Sequence, residues 1–222
     1  MAGYVTALPE PGGALPANGR IVFEGHGIDA DVAETMASHA PMLVGGDDRV
    51  PLTVTEMDKG DLRFAQALLV PSRALKVGRR YALTWRVDPK AAPRSSFSRR
   101  PGEMAWTVRA ADTTAPTWAA GPTLVTAHRT MLGCGPAASA DVAVSAADDG
   151  GAPLFRVQVT EGTKAAVTFF AFANEGSLSI GHGMCGGPVG LAAGAQYVAT
   201  LQAVDAAGNT TDAPATVPFV AR

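Results

Sequence analysis

Apolar and polar residues alternate in short runs along almost the whole chain. Such runs occupy Arg20–Glu24, Val50–Glu56, Leu62–Val70, Tyr81–Val87 and Met104–Val108. They return at Asp141–Ala146, Leu154–Val159, Ala166–Ala173, Gly176–Ile180, Tyr197–Val204 and Ala215–Val220. A period of two over five to eight residues, bounded by Gly, Pro, Asn and Asp, is the signature of a strand with one buried face. Helical spacing occurs at one place, Asp29 to His39, and that segment is short. The pattern predicts an all-β chain of sandwiches or barrels.

The halves are separated at Asp112-Thr-Thr-Ala-Pro116, a polar stretch closed by proline. A β-sandwich takes about 100 residues, and the chain has 222. Two sandwiches are expected, over residues 1–112 and 113–222, with about seven strands each. A repeat supports the division. Leu75-x-x-Gly78-x-x-Tyr81 recurs as Leu191-x-x-Gly194-x-x-Tyr197, and each copy leads into an alternating strand. The physical reading is a tight turn that needs glycine, then a tyrosine whose ring packs inward while its hydroxyl bonds back to the turn, a tyrosine corner.

Leu191-Ala-Ala-Gly-Ala-Gln-Tyr197 running into Ala203-Val-Asp-Ala-Ala-Gly-Asn209 resembles strands F and G of bacterial fibronectin-III-like and immunoglobulin-like domains. Pro11–Asn18 with Arg20–Glu24 resembles the opening strands of immunoglobulin-like domains of surface proteins. The resemblance implies two tandem Greek-key β-sandwiches in a secreted or surface protein. It implies no chemistry. The stretch Gly27–His39 departs from it, being longer than a simple hairpin.

Composition narrows the function classes. The chain is 47% hydrophobic and 17% charged, with net charge −2. Nothing in that balance points to nucleic acid or a membrane surface, and no run approaches the length of a membrane span. The first amino acids lack the pattern of a signal peptide, which leaves a cytoplasmic protein or a mature chain with an added Met; the cysteine pair and the surface-protein resemblance favour the second, an extracellular or cell-surface chain. Charge is uneven: residues 1–112 hold 14 Lys/Arg and 13 Asp/Glu, residues 113–222 hold 4 and 7.

The only cysteines are Cys134 and Cys185. In a sandwich they flank two antiparallel neighbours, Cys134 before the strand at Asp141–Ala146 and Cys185 after that at Gly176–Ile180. A disulfide is expected between them, worth roughly 4 kcal/mol in the chain-entropy model, and it implies an oxidising compartment. The competing reading is a soft-metal site or secreted enzyme at His182 and Cys185. The ligand order does not fit a known copper loop, and a four-ligand zinc set cannot be assembled. No metal, cofactor or catalytic residue is therefore assigned, and a non-enzymatic module is expected. No hydrolase motif is present, and His26, His39, His128 and His182 each stand outside a motif with a nucleophile. Asp47-Asp48 and Asp148-Asp149 read as solvated turns.

Two segments are candidate interaction surfaces. Nine Lys/Arg lie between Arg73 and Arg100, opposed by Asp88 alone. Within them Lys90, Arg94, Phe97, Arg99 and Arg100 sit on the long loop expected between the last two strands of the first sandwich. Loops on a rigid scaffold carry binding, and this one suits an anionic polysaccharide or another envelope protein. The second segment is Ala166–Ala173, where Phe169 falls on one face and Phe170 and Phe172 on the other. A strand apolar on both faces needs cover on both, so these three form a candidate interface, by self-association in the alternative of a filament or appendage subunit.

Overall fold

The computed structural model describes residues 3–87, 92–133, 135–184 and 186–222. The chain is all-β, a set of sandwich layers with one short helix. It divides into two compact units. The first comprises Met1–Met57, Ala65–Thr113 and Ala206–Gly208, the second Asp58–Phe64, Thr114–Asp205 and Asn209–Arg222.

The first unit contains β1 (Gly3–Leu8), β2 (Ala14–Pro16), β3 (Ile21–Gly27), α1 (Ala30–Glu34), a 3-10 turn (Met36–His39) and β4 (Met42–Gly45). There follow β5 (Asp48–Lys59) and β6 (Phe64–Pro71), whose ends at Asp58–Lys59 and Phe64 belong to the second unit, then β7 (Arg80–Thr84) and β8 (Ala105–Arg109). The strands run in the order β1-β3-β6-β5-β4-β7-β8-β2. The consecutive strands β1 and β2 therefore hold opposite ends: β1 pairs antiparallel with β3, β2 pairs parallel with β8. The twelve-residue β5 bridges the halves, lying between β6 and β4. Alternate residues point inward, and Phe23, Leu43, Leu69, Tyr81, Leu83 and Trp106 are fully buried. The helical expectation at Asp29–His39 is met by α1 and the 3-10 turn, which bury Val32, Ala33 and Met36 in the same core.

The second unit contains β9 (Thr117–Leu132), β10 (Gly135–Ala147), β11 (Leu154–Thr160), β12 (Val167–Phe172), β13 (Ser177–His182), β14 (Gln196–Val204) and β15 (Ala215–Val220). A three-stranded sheet, β13-β10-β9, faces a four-stranded sheet, β12-β11-β14-β15. β10 and β13 are antiparallel neighbours, Ala138 opposite His182 and Ala143 opposite Ser177. At the rim of the four-stranded sheet, Ala221 N donates to Ala195 O at 3.0 Å. By the alternation of an antiparallel ladder, Val217 and Phe219 then turn their N–H groups toward β14. Pro218 falls on the outward position, where a missing donor costs the ladder nothing.

Both tyrosine corners form. Gly78 and Gly194 adopt φ of 80° and 77°, left-handed values that favour glycine. Lys76 N donates to Tyr81 Oη at 3.3 Å, and Ala192 N donates to Tyr197 Oη at 2.8 Å. Each hydroxyl then donates to a carboxylate: Tyr81 to Asp48 Oδ2 at 2.6 Å, Tyr197 to Glu161 Oε2 at 3.0 Å. Asp48 also pairs with Arg73, and Lys76 Nζ lies 3.6 Å away; Glu161 pairs with Lys164 at 2.6 Å. The hydrogen bond from Tyr81, then that from Arg73, holds the Asp48 carboxyl at about 2, below the usual carboxylate range. Burial, reinforced by the Asp48 hydrogen bond, pushes the Tyr81 phenol up. The Asp47-Asp48 turn is thus solvated only in part: Asp47 is exposed, Asp48 buried.

A carboxyl with a depressed folded pKa stabilises the fold fully above its ordinary value and loses that contribution as pH falls through the folded value. Thermal melts of the wild type should therefore weaken between about pH 4 and pH 2, and Asp48→Asn should flatten that slope. Tyr81→Phe and Tyr197→Phe should each cost about 1 kcal/mol in chemical denaturation.

Candidate binding surface

The loop between β7 and β8 is organised by one buried carboxylate. Asp29 precedes α1, where an aspartate ordinarily caps the helix, yet its side chain makes no cap hydrogen bond. It is fully buried and turned to the loop instead. Arg94 N donates to Oδ1 at 2.7 Å, and Ser95 N and the Ser98 hydroxyl donate to Oδ2, the former at 3.0 Å. Arg94 adds its guanidinium to Asp31 Oδ1 at 2.6 Å and to the Ile28 carbonyl. Farther on, Arg99 N donates to Val5 O at 3.0 Å, laying the loop along the free edge of β1. Arg100 N donates to Glu103 Oε2 at 2.7 Å, and Gly102 N to Leu83 O at 2.7 Å.

This tethering sorts the basic residues. Arg94 is committed to Asp29 and Asp31. Arg99 and Arg100 remain exposed, and Phe97 between the anchors is 78% exposed, a large apolar ring held out in solvent. Lys90 lies outside the described residues. The cluster that reads in sequence as five ligand-facing groups thus resolves into one internal tie and three outward groups among those described.

Beside this edge, the outer face of β1 and β3 carries a polar knot. The Tyr4 and His26 rings stack at 4.2 Å. His26 Nε2 lies 2.8 Å from Glu24 Oε1, and Gln66 Nε2 donates to Glu24 Oε2 at 2.6 Å. Burial, with Glu24 nearby, pushes the Tyr4 phenol far above its usual range.

In the second unit the three phenylalanines of β12 divide. Phe169 is core, edge-on to Phe64 at 6.2 Å. Phe170 is on the other face, buried with the Arg156 guanidinium 6.0 Å from its ring centre. Phe172 is 52% exposed. Of the expected interface, one ring faces solvent. Cys134 and Cys185 lie outside the described residues. His182 Nδ1 lies 3.1 Å from the Gly183 carbonyl. An open depression of about 420 Å³ lies over Val198, Pro218 and Val220, between Thr160 and Gln196.

One constellation escaped the sequence reading. His128 has a serine and an aspartate beside it, Ser139 and Asp141 of the paired strand. The signal that would have found it is the hairpin register about Gly133 and Gly135, and β9 lacks the alternation that announces a strand.

Among the described residues no helix is long and apolar enough to cross a membrane. No protein-family model matches the sequence, and no curated protein does. Solved structures similar to the chain include pullulanase type I from Bacillus subtilis, at 12% identity over 93% of this chain and 24% of that one, TM-score 0.28. They include the FN1–FN3 domains of chicken CNTN1, at 11% identity over 99% and 66%, TM-score 0.30. They also include the N-terminal part of the bacterial S-layer protein SbsC, at 11% identity over 100% and 44%, TM-score 0.33. The chain spans about a quarter of the pullulanase's length, and none of these likenesses transfers a role to a residue of this chain.

Asp29→Asn should remove the negative charge that three donors face. The expected loss is about 3 kcal/mol of unfolding free energy, with faster amide exchange at residues 94–99 before any change in β10 or β14, as hydrogen-exchange mass spectrometry would show.

Proposed function

We propose that the chain is a secreted or cell-surface binding and structural module, built from sandwich units of immunoglobulin and fibronectin-III type, with its ligand contact on the β7–β8 loop. The observation that carries this reading is Phe97, 78% exposed, on a loop fastened to the buried carboxylate of Asp29. A loop ordered before binding loses little entropy when it binds. Aromatic and arginine side chains are the usual anchors of an interface. The three-plus-four strand layout of the second unit and the paired tyrosine corners support the fold type. The partner class is an anionic glycan or an envelope protein, met by Phe97 with Arg99 and Arg100.

The test is binding of the purified chain to anionic and neutral glycans and to cell-envelope polymers at low and high salt. Phe97→Ala is expected to weaken binding about tenfold or more. Arg99→Ser with Arg100→Ser should weaken it chiefly at low salt. Equal binding by wild type and both variants would remove the loop from the site.

The same reading carries a disulfide. The described register sets Ala138 of β10 opposite His182 of β13, so the start of β10, which follows Cys134, and the end of β13, which precedes Cys185, share one end of a sheet. Thiol titration of denatured, unreduced protein purified from an oxidising compartment should find no free thiol. Two reactive thiols would refute the bridge.

A further inference from the structure

On the hairpin of β9 and β10, Ser139 is directly opposite His128. Asp141 follows two residues after Ser139 and shares its face. That face looks outward, because the alternating Ala138, Ala140 and Val142 are core. Ser139 Oγ is 3.2 Å from His128 Nε2, and His128 Nδ1 is 3.6 Å from Asp141 Oδ2. The hydroxyl, the imidazole and the carboxylate therefore stand in the order nucleophile, base, orienter, an arrangement recognised by geometry and not by chain order. On the other side of Ser139 the paired residue is Gly181 of β13, which has no side chain to obstruct approach. The His128 side chain is 52% exposed, so a reactant reaches it from solvent.

We propose that this sheet face is an acyl-transfer site for small carboxylic esters with good leaving groups, with Ser139 as nucleophile and His128 as general base. Ser139 Oγ adds to the ester carbonyl carbon while its proton passes to His128 Nε2. The tetrahedral oxyanion then collapses and the bond to the leaving oxygen breaks; a basic leaving oxygen takes the proton from His128, whereas a nitrophenolate leaves as the anion and His128 gives that proton to solvent, so the imidazole is neutral again before the next step. Water, deprotonated by His128, attacks the acyl-Ser139, releasing the carboxylic acid and restoring the serine. Asp141 is a positioning residue: at 3.6 Å from Nδ1 its carboxylate acts on the ring through charge, steadying the imidazolium that forms when His128 takes the serine proton. The oxyanion forms in open solvent, which limits the enhancement to what nucleophile and base supply, about 100-fold to 10,000-fold. This is why the substrate class is restricted to activated esters. The proposal uses none of the β7–β8 loop, so it stands or falls apart from the binding reading.

The experiment is reaction of the full chain with p-nitrophenyl acetate, following nitrophenolate release and locating the acetyl group by peptide mass spectrometry. The expected result is a transient acetyl on Ser139 of the unaltered protein and release above the buffer rate. Ser139→Ala should abolish that excess, and His128→Gln should lower it about 100-fold. Asp141→Asn should lower kcat with KM unchanged, and Asp141→Glu should recover part of the loss. Acetyl found on lysine or on His128 instead of Ser139, or release unchanged in Ser139→Ala, would overturn the proposal. The labelling is read on the unaltered chain, so it decides the proposal even where a variant loses release because it fails to fold.

Discussion

A phenol hydroxyl buried beneath a turn must find both a donor and an acceptor, and in each unit that requirement fixes the last strands. Tyr81 and Tyr197 take an N–H from the residue five positions earlier and give their own proton to a carboxylate from another strand or loop. The turn can make that approach only because Gly78 and Gly194 adopt positive φ. The carboxylate, held ionised, is in turn faced by Arg73 and Lys76 in one unit and Lys164 in the other. One short segment thus determines the turn, the entry of β7 or β14 into the core, and the placement of surface charge. An unpaired hydroxyl at the buried Tyr81 would cost more than its hydrogen bonds contribute, so the segment forms as a set.

The first unit uses buried charge a second time, at Asp29. There the acid organises a loop instead of a core strand, drawing backbone N–H groups from Arg94 and Ser95. The effect on the surface is selective. The basic residue nearest the acid is taken up at the surface by Asp31 and the Ile28 carbonyl, and Phe97 is left standing out between two tethered points. The density of Lys and Arg along this sequence therefore overstates the positive field at the loop.

Much of the architecture was legible because alternation and burial are the same fact. Leu154–Val159 and Ala215–Val220 were drawn to within a residue of β11 and β15, since each has one face on the core. The repeat foretold both tyrosine corners with their glycines. Four of the described strands escaped: β1 and β4, which alternate but are short and offer few large apolar residues, and two whose patterns are not periodic. β2 is three residues long, and β9 is exposed almost throughout, burying Ala127 alone. Missing β9 also hid its register, and with it the meeting of His128 and Ser139. The pairing of Arg94 with Asp29, 65 positions earlier, was equally out of reach, because no local rule connects a loop arginine to a residue at a helix start.

Pro218 has a consequence for assembly. The four-stranded sheet ends at β15, and there the outward-facing position has no hydrogen to offer an arriving strand. The opposite rim, β12, has no such interruption in Val167–Phe172. On the β15 rim Pro218 removes one donor between the outward positions of Thr216 and Val220, so a strand arriving along β15 would meet a gap in its ladder, whereas one arriving along β12 would not.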